Sequence, residues 1–273
     1  MIFKFDGKET GKRGNMARKD EQIVYGTRSD ITDEGFFFAC HPGVPCFTKC
    51  CRNPDMYLYP YDMIRLKHRL DMDSDALLEK YTYTAVRDNP YFPHVMLKMA
   101  ESAQKPCPFL TPQGCSVYED RPFSCRAYPV EPALSRDGQS ENADRYYIVR
   151  HPYCHGHEQD RYHTAAQWIA DQGLESFVAH NRRWAAVDTL LRRNNWGDQG
   201  LAHPGVKMVF MASYNMDRFR RFVFNSSFLN RFALDDDRLH AIQSRDTDLM
   251  HLGFDWIEFM LAGTGPLAEC RKK

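Results

Sequence analysis

Cys40-His-Pro-Gly-Val-Pro-Cys46-Phe-Thr-Lys-Cys50-Cys51 packs four thiols into one short stretch of the chain. Three more follow in Cys107-Pro-Phe-Leu-Thr-Pro-Gln-Gly-Cys115-Ser-Val-Tyr-Glu-Asp-Arg-Pro-Phe-Ser-Cys125, and Cys154 closes the series in His151-Pro-Tyr-Cys154-His-Gly-His157. Eight of the nine cysteines therefore lie between residues 40 and 154. Eight is two sets of four, the ligand count of a zinc site or an iron–sulfur cluster. Pro42, Gly43 and Pro45 make the first group a tight loop, and Pro108, Pro112, Gly114 and Pro122 punctuate the second. Loops of this kind curl backbone around a metal and let thiolates converge, so the second group reads as ligand-bearing turns.

Outward from the cysteines, Phe36-Phe37-Phe38-Ala39 is a β-prone run that predicts a short strand beside the site. Residues 126–134 and 145–150, separated by a polar stretch at 135–142, predict a hairpin that brings Cys125 and Cys154 to one end. Met63, Ile64, Leu66 and Leu70 fall on one face of a helix, and a second helix starts at Ser74-Asp75 and carries Leu77, Leu78, Tyr81 and Val86. Farther on, Thr164-Ala-Ala-Gln167 has capping-box spacing, and Gly173 ends that helix ahead of a longer one running through Trp184 to Leu191. Met216, Phe219, Phe222 and Val223 form one apolar stripe, and Leu249, Leu252, Trp256 and Met260 a second; both are assigned to core. The expectation is a predominantly helical α+β fold, with a cysteine-rich loop and hairpin metal-binding core and a helical C-terminal half. Three regions are expected: a polar arm at 1–30, the cysteine region at 31–158 and a helical region at 159–273 packed on it.

A chain of 273 residues with 43% hydrophobic and 13% aromatic residues can bury enough surface to fold without disulfides. Charged residues occupy the N-terminal stretch where a signal peptide has its apolar segment, and no apolar run approaches the ~20 residues that cross a bilayer. A cytoplasmic chain with reduced thiols and no membrane contact is expected. The formal net charge is zero, and Arg218-Phe-Arg-Arg221 and Asp235-Asp-Asp237 read as solvated helix faces, so no nucleic-acid partner is expected.

Thiolates are soft ligands that select zinc, copper(I) or iron–sulfur clusters over magnesium or calcium. In an extended segment Cys50 and Cys51 would point to opposite faces and bind different metal atoms. Two zinc sites, one iron–sulfur cluster with spare thiolates, and a shared multinuclear centre all remain open. His41, His151, His155 and His157 flank the cysteines, but eight thiols already fill two four-coordinate sets. Cys270 stands alone in a charged tail and reads as a free thiol.

The pieces Cys50-Cys51, Cys107-Pro-Phe-Leu, Gly114-Cys115-Ser-Val-Tyr118, Arg121-Pro122 and Cys125-Arg126-Ala-Tyr128-Pro129 together resemble the YkgJ-like cysteine-cluster family of zinc- or iron-chelating domains. The resemblance covers about residues 36–158, and Asp217-Arg-Phe-Arg-Arg-Phe-Val-Phe224 resembles a longer subset of the family. The family's first group is written CxxCxxCC, whereas here five residues separate Cys40 from Cys46 and three separate Cys46 from Cys50. The resemblance implies metal binding, and some relatives are linked to iron–sulfur clusters and to methylation of protein lysines. The sequence thus leads to Cys40, Cys46, Cys50, Cys51, Cys107, Cys115, Cys125 and Cys154 as metal ligands. Arg121 and Arg126 are expected to donate hydrogen bonds to the metal-bound sulfurs. The expected cofactor is an iron–sulfur cluster, most simply of the 4Fe-4S type, serving a protein or redox partner. The alternatives are a structural zinc protein that binds partners and a metal-dependent enzyme that modifies protein.

Overall fold

The computed structural model describes residues 26–134, 144–263 and 265–270. The expected arm therefore lies largely outside the described residues, as does the polar turn of the hairpin. From its N-terminal end the chain forms β1 (Thr27–Asp30), β2 (Gly35–Phe37), β3 (Tyr57–Leu58), α1 (Pro60–Leu70), α2 (Ser74–Tyr81), β4 (Thr82–Ala85) and β5 (His94–Leu97). The second cysteine region adds β6 (Leu110–Thr111), β7 (Gly114–Cys115), α3 (Phe123–Ala127), β8 (Val130–Ala133) and β9 (Arg145–Arg150). The rest is β10 (Tyr162–Thr164), α4 (Ala165–Asp171), α5 (Glu175–Leu191), α6 (Pro204–Tyr214), α7 (Met216–Asn225), α8 (Phe228–Arg231), α9 (Asp236–Ser244) and α10 (Asp246–Ala262). Helices dominate, the sheets are small, and the fold is the helix-rich α+β class expected.

Local chemistry sets most of the helix ends. Pro60 at the first position and Asp62 at the third, whose carboxylate takes the Tyr59 N–H at 2.8 Å, start α1. Asp73, one residue ahead of the expected Ser74, caps α2 through the Ala76 N–H at 2.7 Å. Thr164 and Gln167 make the reciprocal capping box at the start of α4, and Gly173 adopts the left-handed conformation that follows it. α2 stops at Tyr81, because residues 82–85 pair antiparallel with β5 instead of continuing the helix. Val86, expected on that helix's apolar face, is 53% exposed.

Two hydrophobic clusters result. The larger joins α1 and α2 to the C-terminal helices, with α10 packed against α5, α6, α7 and α9. Phe219, Leu249, Leu252 and Phe254 are fully enclosed there, and Trp184 packs on Phe254 with ring centroids 5.6 Å apart. Met260 leaves the expected stripe at the last turn of α10 and is exposed. The smaller cluster holds Ile31, Phe36, Phe38, Val130, Ile148, Ala165 and Trp168. It lies among the sheet ordered β1-β9-β8, the β2–β10 pair and α4. The expected hairpin is β8–β9, with Val130 opposite Ile148 and Ala133 opposite Arg145.

The basic stretch is less solvated than its composition suggests. Arg218 pairs with Asp75 of α2 at 2.7 Å, and Arg220 reaches Asp246 and the carbonyls of Ile242 and Gln243. Asp246 also receives Lys67 at 2.8 Å and His68 at 2.9 Å from α1, so one carboxylate joins three helices. Among the described residues no helix is long and apolar enough to cross a membrane.

Candidate metal centre

The Cys40 loop folds as a run of tight turns. Val44, Phe47, Lys49 and Cys51 each donate their N–H to the carbonyl three residues earlier, and Thr48 takes the left-handed conformation at φ 63°. Buried Val44 anchors the loop from inside. Residues 49–51 form a 3₁₀ turn, not the extended segment assumed for them, so Cys50 and Cys51 are turned toward each other. The Cys50 thiol donates to Cys51, which holds Cys51 down to about 7 against burial, with help from Arg121 and Arg52. The same bond drives Cys50 upward.

The second cysteine region docks on this loop by backbone. Cys107 N–H donates to the Cys51 carbonyl at 2.8 Å, and Asn53 N–H to the Lys105 carbonyl at 2.9 Å. Leu110 N–H returns to the Cys107 carbonyl, and Leu110 pairs with Cys115 across the β6–β7 turn. Short regular elements thus carry Cys115 and Cys125, on β7 and α3, where the punctuation had suggested turns alone. Burial pushes the Cys107 thiol up to about 11 and Cys125 up to about 12, with Cys51 among the charges felt by both.

Cys154 arrives from the smaller cluster. Its thiol lies within hydrogen-bonding reach of Cys46 and of the Tyr128 hydroxyl, and the His155 N–H donates to Cys46 Sγ at 3.1 Å. Cys40 is in electrostatic reach of Cys46, Cys51 and Cys154. The eight thiols are therefore neighbours in one region of the molecule. Cys40 and Cys50 are exposed and the other six half-buried, while Cys270 is remote from them in sequence and exposed on the tail. Among the described residues no three His, Cys, Asp or Glu side chains stand close enough to hold a single metal ion.

The two arginines part company. The positive charge of Arg121 favours the thiolates of Cys51, Cys115, Cys125 and Cys40. Its guanidinium lies 3.9 Å over the Tyr118 ring and donates to the Tyr118 carbonyl at 3.1 Å. Arg126 instead gives its two terminal nitrogens to the carbonyls of Gln172 and Glu119, and its buried Nε has no acceptor among the described residues. Among the described residues neither arginine makes a salt bridge, although the Glu119 and Asp120 carboxylates act on Arg126 from a distance.

The flanking histidines have other engagements. His155 meets Glu158 at 3.0 Å, His41 accepts the Gly43 N–H at 3.2 Å, and His151 stacks on Tyr153. His157 lies against the Phe38 ring and 3.4 Å from the Tyr128 hydroxyl. Tyr128 was visible in sequence only as part of a motif; its place beside Cys154 depends on the β8–β9 pairing that brings residues 128 and 154 together. An open cavity of about 470 Å³ lined by Thr32, Gly35, Tyr146, Tyr162 and Ala165 includes no cysteine in its wall.

Residues 39–155 match the CxxCxxCC family model, described as "Putative zinc- or iron-chelating domain". This stretch is similar to the CxxCxxCC domain. The domain's limits enclose all eight clustered cysteines together with Arg121 and Arg126. No curated protein and no solved structure matches the chain. The donor set fits the soft metals named for the CxxCxxCC domain, because thiols are the ligands that zinc and iron–sulfur clusters select.

Proposed function

We propose that the CxxCxxCC domain binds an iron–sulfur cluster, most simply of the 4Fe-4S type, and serves redox or enzyme-supporting work in a reducing, intracellular compartment. The carrying observation is that Cys40, Cys50, Cys107, Cys115 and Cys125 all lie within electrostatic reach of Cys51, with Cys46 and Cys154 joined to them through Cys40, while among the described residues no three donors form a cage for one ion. A lone zinc ion needs its sulfurs converged on one point, each about 2.3 Å away. A four-iron cluster takes its four cysteines on separate irons and so accepts thiols set wider apart.

Cys51, Cys107, Cys115 and Cys125 are the four thiols we assign first, with Cys40, Cys46, Cys50 and Cys154 adjoining them. When bound, such a cluster supplies one-electron chemistry. Arg121 would stabilise its negative charge and so favour the more reduced state, while the Tyr128 hydroxyl and the His155 N–H donate to the adjoining Cys154 and Cys46 sulfurs. Most of the thiols are held protonated by burial, so metal binding releases protons and strengthens as pH rises.

Zinc is the second reading, favoured by the domain's own description. The two are separated by purifying the full chain without oxygen and measuring its visible spectrum with iron, zinc and acid-labile sulfide per chain. Brown protein with iron and sulfide in equal amount supports the cluster. Colourless protein with stoichiometric zinc makes the domain a structural zinc module that binds a partner.

A further inference from the structure

Asp62 is almost completely buried, at 1% exposed, and no cation is paired with it among the described residues. Its two carboxylate oxygens accept from two separate parts of the fold: Oδ2 takes the Tyr59 N–H at the start of α1, and Oδ1 takes the Phe123 N–H at the start of α3, each at 2.8 Å. α3 has five residues, too few to hold its own position, and it carries Cys125 and Arg126. Phe123 itself packs between Tyr59 and Phe177, with ring centroids at 5.8 and 6.3 Å. The carboxylate is therefore a rivet from the long helix α1 to the short element that bears a thiol. Burial pushes the carboxyl up to about 7 although both N–H bonds pull it down, so its retention costs stability that an ordinary cap, exposed to water, would not.

We infer that Asp62, which is not a ligand, is the positioning residue that sets Cys125 against Cys51, Cys107 and Cys115. The inference rests on the reading of these cysteines as the metal centre for its purpose, while its geometry is independent of the metal. Cys125 lies two residues beyond the bonded Phe123 amide. Losing that bond frees the N-terminus of α3 and lets the thiol wander from its three neighbours. Asn in place of Asp keeps the shape and one acceptor oxygen, but sets an amide NH₂ against one of the two N–H groups.

The test compares the full chain with Asp62→Asn and Asp62→Glu. In metal-free, reduced protein, alkylation of each cysteine by iodoacetamide is followed by mass spectrometry. Cys125 is expected to label about tenfold faster in Asp62→Asn, with Cys40 and Cys154 unchanged, and Asp62→Glu should restore part of the protection. In protein purified with its metal, Asp62→Asn should hold less metal, or hold it with an altered visible or cobalt-substituted spectrum. Unchanged Cys125 labelling, or equal acceleration at all eight cysteines, overturns the inference, since general loosening has no preference for α3. Should Asp62→Asn fail to fold, hydrogen exchange at the Phe123 amide of the unaltered protein decides: protection supports the bond, and exchange at the rate of an open loop overturns it. Wild-type protein without metal would defeat the metal reading alone and leave the labelling result to judge Asp62.

Discussion

Gly156 is the position where one methyl group should do most damage to the metal-centre loops. A Cβ there would stand 2.5 Å from Cε2 of Phe38 and 2.9 Å from the Ala39 carbonyl oxygen. Neither neighbour yields easily. Phe38 is 2% exposed, held edge-on to Trp168 with centroids 5.5 Å apart and to Tyr128 at 5.8 Å. The Ala39 N–H donates back to the Gly156 carbonyl at 3.0 Å, so the Cys40 and Cys154 segments touch at this point. Overpacking of this kind costs about 1–3 kcal/mol, while replacing glycine at an ordinary φ returns about 0.4–1 kcal/mol from the unfolded chain. Gly156→Ala should therefore destabilise by about 1–2 kcal/mol, lowering the midpoint of melting by about 2–8 °C. Phe38→Leu alone also destabilises, by on the order of 1 kcal/mol, but makes room for the methyl. The double variant should then lose less than the sum of the singles by at least about 0.5 kcal/mol. The assay is thermal denaturation of metal-free, reduced protein for all four forms, with metal content measured alongside. A wild-type melt for Gly156→Ala, or strictly additive losses, would refute the close approach.

Gly253 on α10 is a second test of contact, because a Cβ there would overlap the Ala212 carbonyl oxygen of α6. Gly253→Ala should lower the melting temperature even though alanine gains about 1 kcal/mol in helix propensity, and a rise would show that the helices are farther apart. His180 Nδ1 meets His251 Nε2 at 2.8 Å, and burial followed by the neighbouring imidazole holds His180 down to about 4. Below its ordinary value of 6.5 the unfolded chain takes up a proton that the fold refuses, so stability is whole above pH 6.5 and declines as pH falls through 4. Partial exposure screens the effect to on the order of 1–2 kcal/mol; His180→Gln should shrink the urea-measured loss between pH 7 and 4.5 by that amount, and an equal loss in both proteins would contradict it. Cys51→Ser should lose most of the bound metal and Cys270→Ser none, judged by elemental analysis; retention by the first would remove Cys51 from the centre.

What the sequence made legible was local. The apolar spacing of Met63, Ile64 and Leu66, the Thr164–Gln167 capping pair and the strands of the β8–β9 hairpin each depend on residues close together, and each is found where the pattern puts it. The clustering of cysteines was equally plain, since eight of the nine lie between residues 40 and 154. What escaped depends on partners far along the chain. Tyr81 ends α2 because Thr82 pairs with Leu97, and no periodicity within the helix announces it. Cys50 and Cys51 fold into a 3₁₀ turn whose far side is fixed by the bond from Cys107. Asp62 follows its first donor, Tyr59, by three residues, but its second donor, Phe123, stands 61 positions away. Arg220 looks like one charge of a solvated run until Asp246 is folded beside it.

The central claim, an iron–sulfur cluster among these eight thiols, is met most directly by X-ray absorption at the iron edge of protein purified without oxygen. The account predicts a first shell of sulfur alone and an iron–iron shell behind it, both lost in Cys51→Ser. A first shell of nitrogen or oxygen without neighbouring iron, or a sample whose metal is zinc, would contradict it.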